Sequence, residues 1–102
     1  MAKRTLIITG ADPSGEPTEL GSRREVYETL SRFNTYPDKP GGEILHGPGI
    51  IVQAPVTGQD DIAQLLVTLL TEDYAWPVLT RICQQSQWQL LDPETGRTLS
   101  FG

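Results

Sequence analysis

Residues 5–28 read TLIITGADPSGEPTELGSRREVYE and predict a buried strand, an irregular loop and a helix in succession. The run Thr5–Thr9 is short, apolar and rich in β-branched residues, as expected for a central strand. The stretch Gly10–Gly21 has no periodicity, and its Gly, Pro and acidic residues favour an exposed loop. Ser22 and Glu25 then have the spacing of a capping box, which predicts that a helix begins here.

The loop resembles a phosphate-binding loop in one respect only. Gly10 and Gly15 have the G-x-x-x-x-G spacing, but Glu16 and Pro17 occupy the positions where such a loop has Lys and Ser or Thr. Glu16 would repel phosphate, Pro17 has no backbone N–H to offer, and the cap at Ser22 follows several residues too late. The sequence therefore argues against nucleotide binding of this type.

The middle of the chain predicts a helix followed by extended structure. Val26, Leu30 and Phe33 form one apolar stripe, which favours a helix packed on a sheet. Two apolar runs then flank the segment 46–49, which contains His46, two glycines and a proline. A hairpin over 44–52 and a single strand bent at a bulge both fit this pattern.

The second half of the chain predicts two helices in succession. A main core helix is expected to begin at Thr57 and continue toward Tyr74, because apolar residues fill every i+3 and i+4 step at Ile62, Leu65, Leu66, Leu69 and Leu70. Pro77 predicts a break after Trp76 and a second helix beyond it. Cys83 shares the inner face of that second helix with Leu79 and Ile82, so we expect it to be buried.

A β-hairpin is predicted for residues 88–101 at the end of the chain. Pro93 presets a type I turn, Asp92 can accept a backbone hydrogen bond, and Gly96 suits a left-handed position beside the turn. The inward side chains of this hairpin are expected to be Trp88, Leu90, Leu99 and Phe101.

Together these elements predict an α+β fold, a two-layer sandwich formed by a single domain over residues 1–102. The predicted order is β-α-β(β)-α-α-β-β, in which the bracketed strand depends on whether 44–52 is a hairpin. The sheet is expected to be mixed if the first helix connects two neighbouring parallel strands.

Composition narrows the possible partners of the chain. The formal charge of -5 argues against nucleic acid, whose phosphates require clustered Lys and Arg. The apolar runs are too short to span a membrane or to form a signal peptide, so a cytoplasmic location is predicted. Cys83 is the only cysteine, which excludes an intrachain disulfide and cysteine-based zinc sites, and no cofactor or metal is predicted.

Two functional hypotheses follow, and the sequence favours the first. In that hypothesis the chain is a non-enzymatic interaction or regulatory module that binds another protein or itself. Trp76, Tyr74 and Tyr36 lie near breaks in the predicted elements and are candidate aromatic anchors for a partner.

The alternative hypothesis is an enzyme or small-ligand binder with a site between the 10–21 loop and the His46 turn. Its candidate polar residues are Asp12, Ser14, Glu16, Arg23 and His46. This hypothesis requires both loops to lie at the same end of the sheet.

Overall fold

The computed structural model of the chain describes residues 4–39, 42–54 and 61–99. The helices in these ranges are α1 (Arg23–Ser31) and α2 (Glu72–Ser86). The strands are β1 (Thr5–Ala11), β2 (Pro17–Thr18), β3 (Gly21–Ser22), β4 (Tyr36–Pro37), β5 (Ile44–Gly47), β6 (Ile50–Gln53), β7 (Asp61–Ile62), β8 (Gln64–Leu69), β9 (Trp88–Asp92) and β10 (Arg97–Leu99).

The main sheet has the strand order β10-β9-β1-β8-β6-β5-β4, and β2 pairs with the end of β1. A separate pair, β3 and β7, lies beside α1. All strand pairs in the described ranges are antiparallel, so the predicted mixed sheet is wrong. The reason is that α1 leads the chain toward the far edge of the sheet, and not to a neighbour of β1. Helix α2 instead connects β8 to β9, which flank β1 on its two sides.

Both helices cover the same face of the sheet. On β5, β6 and β8 the buried side chains alternate with more exposed ones, as expected when one face is packed and the other is not. The inward residues form one hydrophobic cluster with the helices, and its members include Leu6, Ile8, Val26, Leu30, Leu45, Ile50, Val52, Leu65, Val67, Leu79, Ile82 and Leu90. A large antiparallel sheet with two helices on one side confirms the α+β class.

The capping box predicted at the start of α1 is confirmed. The Ser22 hydroxyl accepts a hydrogen bond from the Glu25 backbone N–H at 3.2 Å, and the Glu25 carboxylate accepts one from the Ser22 N–H at 3.2 Å. Val26, Leu30 and Phe33 are buried, as their spacing predicts.

Residues 44–52 form a hairpin and not a single bent strand, because β5 and β6 pair in an antiparallel arrangement. The C-terminal hairpin is also present as β9 and β10. Its turn uses Asp92, which accepts the Glu94 N–H at 3.0 Å, and Gly96, which has a φ of +71°. Leu99 is half-buried, whereas Phe101 lies outside the described residues.

The prediction of two successive helices in the second half of the chain is wrong. The predicted order of elements is therefore wrong as well. Residues 61–62 and 64–69 are strands β7 and β8, whereas the predicted start at Thr57 lies outside the described residues. The helical spacing arose because Leu66, which points away from the helices, is apolar like its inward neighbours. The break predicted at Pro77 is also absent, since α2 runs through it with this proline exposed near the beginning of the helix.

Candidate functional site

The face of the main sheet that points away from α1 and α2 is the most distinctive surface of the described residues. Three cross-strand rows lie on it, of which the third, Gln89, Thr9 and Gln64, is polar. The first row is Thr98, Leu91, Ile7, Leu66, Gln53 and Ile44, and the second is Thr5, Thr68, Ile51, His46 and Tyr36. We call the eleven residues of the first two rows the open face. They include no Asp, Glu, Lys or Arg, although charged residues make up 21% of the chain.

Large apolar side chains on the open face remain in contact with solvent. Leu66 is 41% exposed, Ile44 is 42% exposed and Tyr36 is 52% exposed. The outer face of an antiparallel sheet with one packed face normally carries polar residues, which makes exposed leucine and isoleucine here unusual. Exposed apolar side chains grouped on one face of a sheet are characteristic of interaction sites.

At one end of the face a buried polar pair ends the apolar surface. The Gln89 side-chain amide donates a hydrogen bond to the Thr9 hydroxyl at 3.2 Å, and both residues are buried. Because a buried amide without a partner is costly, this bond is expected to hold β9 and β1 in register.

The candidate residues of the 10–21 loop hold the loop together. The Asp12 carboxylate accepts hydrogen bonds from the Ser14 hydroxyl at 2.6 Å, the Ser14 N–H at 2.9 Å and the Glu16 N–H at 2.9 Å. The Ser14 hydroxyl and these backbone donors lower the pKa of Asp12. Asp12 and Ser14 are therefore engaged in the turn itself, and the Glu16 side chain is exposed.

Arg23 has a similar internal role near the start of α1. Its guanidinium donates to the Tyr27 hydroxyl at 3.1 Å and lies 5.7 Å from the centre of the Tyr27 ring. The Tyr27 hydroxyl in turn donates to the Gly42 carbonyl at 2.8 Å. These contacts connect the helix to the segment that precedes β5.

Trp76 is half-buried on α2 and contacts an arginine. The Arg4 guanidinium lies 5.4 Å from the centre of the Trp76 ring and donates a 2.8 Å hydrogen bond to Asp92. This bond is the main cause that lowers the pKa of Asp92. The other two candidate aromatic anchors are exposed. Tyr74 is 67% exposed and Tyr36 is 52% exposed.

The structure does not bring the two predicted loops together. His46 is exposed and shares a row with Thr5 at the beginning of β1, whereas Asp12 follows the last residue of the same strand. The separation along the strand is about seven residues, or roughly 23 Å. A single small ligand therefore cannot contact both Asp12 and His46.

A cavity of about 270 Å³ lies elsewhere, where α1 approaches the end of α2. It is lined by Leu20, Glu25, Thr29, Arg32, Phe33, Gln85, Ser86 and Trp88. None of the six residues predicted as candidate site residues lines it. Its volume is below the ~300–1,000 Å³ typical of ligand pockets.

The His, Cys, Asp and Glu side chains of residues 4–39, 42–54 and 61–99 bear on two further chemistries, metal binding and thiol reactivity. No group of three or more His, Cys, Asp or Glu residues is arranged to hold a metal ion there. Cys83 is a free, buried thiol, as predicted, and burial raises its pKa to about 12. A thiol in this state is protonated at neutral pH and is a poor nucleophile.

No helix in the described ranges is long and apolar enough to cross a membrane. The chain matches no protein-family model, and comparisons with curated proteins and with solved structures also give no match.

Of the predicted candidates, His46 lies on the open face together with Tyr36. The central members of that face, Leu66 and Ile7, were not identified from the sequence. Their signal is the apolar outward residue on each strand, which can be recognised only once the strands and the packed face are known.

Proposed function

We propose that this chain is a protein-interaction module and that the open face of its sheet is the binding surface. The observation that supports the proposal most directly is the combination of exposed apolar side chains with the absence of charge across the eleven residues of the open face. Burial of apolar area is the main favourable term in protein association. A face without charged residues also avoids the cost of desolvating charges on binding.

The positions of the other candidate residues support the same choice. Asp12, Ser14 and Arg23 have hydrogen-bond partners within the chain and contribute to local structure. His46 is separated from Asp12 by much of the length of β1. The proposal is therefore non-enzymatic, and the cytoplasmic location remains part of it on the sequence argument given above.

The test is site-specific photo-crosslinking in the host that makes the protein. A benzoylphenylalanine residue replaces Leu66 at the middle of the open face, and in a control protein it replaces Gln84, which is exposed on α2. We expect a covalent adduct of defined mass from position 66 and not from position 84.

A second substitution on the same face makes the test specific. Adding Ile44→Lys to the position-66 probe is expected to remove the adduct, because it places a charge on the exposed apolar surface. Equal adduct yields from positions 66 and 84, or no adduct from either, would contradict the proposed function.

A further inference from the structure

The charge of the chain restricts what can cover the open face. The protein carries 13 acidic and 8 basic residues, so two copies repel each other wherever their acidic surfaces meet. The open face has no Asp, Glu, Lys or Arg, and it can therefore meet the same face of another copy without placing like charges together. A partner recognised by charge would find no fixed counter-charge on this surface.

The size of the open face is that of a small homodimer interface. Strands lie about 4.8 Å apart and equivalent residues along a strand repeat every ~6.8 Å, so the two rows, the longer of which crosses six strands, cover roughly 400 Å² in projection. Protruding side chains raise the accessible area above the projected area. The face therefore has the size of the smaller protein interfaces, which bury less than ~1,200 Å² in total over both partners.

The arrangement of the face also suits twofold symmetry. Strand β8 is the fourth of the seven strands in the main path, and three strands lie on each side of it. Leu66 belongs to this central strand and lies near the middle of its row. A twofold axis near Leu66 would superimpose the face on its own copy, as an isologous interface requires.

From these observations we infer that the occupant of the open face is a second copy of this chain. The two sheets pack face to face about a twofold axis close to Leu66, which brings the two Leu66 side chains together. Sheets packed in this way lie about 10 Å apart and cross near -30° or near 90°. This inference rests on the proposed function and adds the identity of the partner.

The experiment is sedimentation equilibrium on the purified full chain. At about 100 μM, which is a hundredfold above a Kd of ~1 μM, the wild-type protein is expected to have twice the mass of the 11.2 kDa chain. L66E is expected to have the mass of one chain, since the twofold axis brings two carboxylates together in an apolar interface. We expect its self-association to be at least ~30-fold weaker, as for a central residue of an interface.

Q84E is the matched control, because it adds the same charge at an exposed position on α2, away from the open face. It is expected to remain dimeric. An equimolar mixture of L66E and L66K should regain the dimer mass, because opposite charges then meet at the axis. This rescue by a mixture would not occur if L66E merely damaged the fold.

Far-UV circular dichroism checks that each variant is folded. If L66E does not fold, Ile44→Lys replaces it, since this residue lies on the same face near its edge and is 42% exposed. A dimer that L66E or Ile44→Lys dissociates supports the inference. A dimer that survives a folded variant overturns it, because another surface must then hold the copies together.

A wild-type protein with the mass of one chain at this concentration also overturns the inference. In that case a specific photo-crosslink from position 66 to a different protein would leave the proposed function intact. The two proposals therefore fail separately: the oligomeric state decides the identity of the partner, and the crosslink decides whether the face binds at all.

Discussion

The β5–β6 turn lies against the beginning of helix α2 at Gly49, and a substitution at this position is a sensitive test of the fold. Gly49 has a φ of +72°, and its carbonyl accepts the Leu70 N–H at 2.8 Å and the Thr71 N–H at 3.2 Å. A Cβ at this position would lie 2.6 Å from the Thr71 carbonyl oxygen and 3.0 Å from the Ala75 nitrogen. Gly49→Ala should therefore force the hairpin away from the beginning of the helix.

The expected loss of stability in Gly49→Ala is the sum of two contributions. A left-handed backbone costs an alanine about 1–2 kcal/mol, and overpacking against fixed backbone atoms costs about 1–3 kcal/mol more. We therefore expect Gly49→Ala to lower the free energy of unfolding by roughly 2–5 kcal/mol, a large part of the ~5–15 kcal/mol of a typical domain.

Gly96→Ala is a matched control because Gly96 has a φ of +71° but no neighbouring atom within 4 Å of an added Cβ. Its free energy of unfolding should fall only by the cost of the left-handed backbone, about 1–2 kcal/mol. The loss of unfolded-chain entropy on replacing Gly by Ala is common to both variants and cancels in the comparison.

Urea unfolding measures the difference directly. With a slope of ~1–3 kcal/mol/M, a difference of about 2 kcal/mol separates the two midpoints by roughly 1 M. If Gly49→Ala unfolds at the same urea concentration as Gly96→Ala, with equal slopes, the close approach between the turn and α2 does not exist.

Two further predictions concern titrating groups. Because burial raises the pKa of Cys83 to about 12, we expect its thiol to be unreactive toward Ellman's reagent at about pH 8 in the native protein and fully reactive in concentrated guanidinium; native reaction at the rate of a free thiol would contradict its burial. The Arg4 guanidinium lowers the pKa of Asp92, so the ionised carboxylate stabilises the folded state above its unfolded pKa, and this contribution is lost as pH falls through the lower folded pKa. Urea unfolding from about pH 5 down to about pH 2 should thus show a smaller loss of stability for Asp92→Asn than for the wild type, and equal slopes would refute the role of the Arg4 contact.

The parts of the fold that the sequence predicted correctly depend on local chemistry. The cap of α1 needs only Ser22 and Glu25, and the C-terminal turn needs only Asp92 to Gly96. Strand order is different, because β1 pairs with β8 and β9, which follow more than fifty residues later in the chain. No local pattern around Thr5–Thr9 encodes those partners.

The candidate site was predicted only in part for the same reason. Tyr36 and His46 could be singled out by residue type, but their position beside Ile51 on a single surface depends on the register of three strands. Conversely, Asp12 and His46 looked compatible with one site until the register placed them at opposite ends of the sheet. Residue types alone suggest what chemistry a side chain can perform. Which side chains lie close together depends on how the strands pair.

The wrong helix prediction and the proposed interface have one physical cause. In β8 the inward residues Leu65, Val67 and Leu69 are buried, and strict alternation would place polar residues between them. Leu66 breaks this alternation, and it thereby supplies the helical spacing that hid the strand. An apolar residue on the outward side of a strand is expected where that side is also covered. The helices cover one face of this sheet, and the proposed second copy would cover the other.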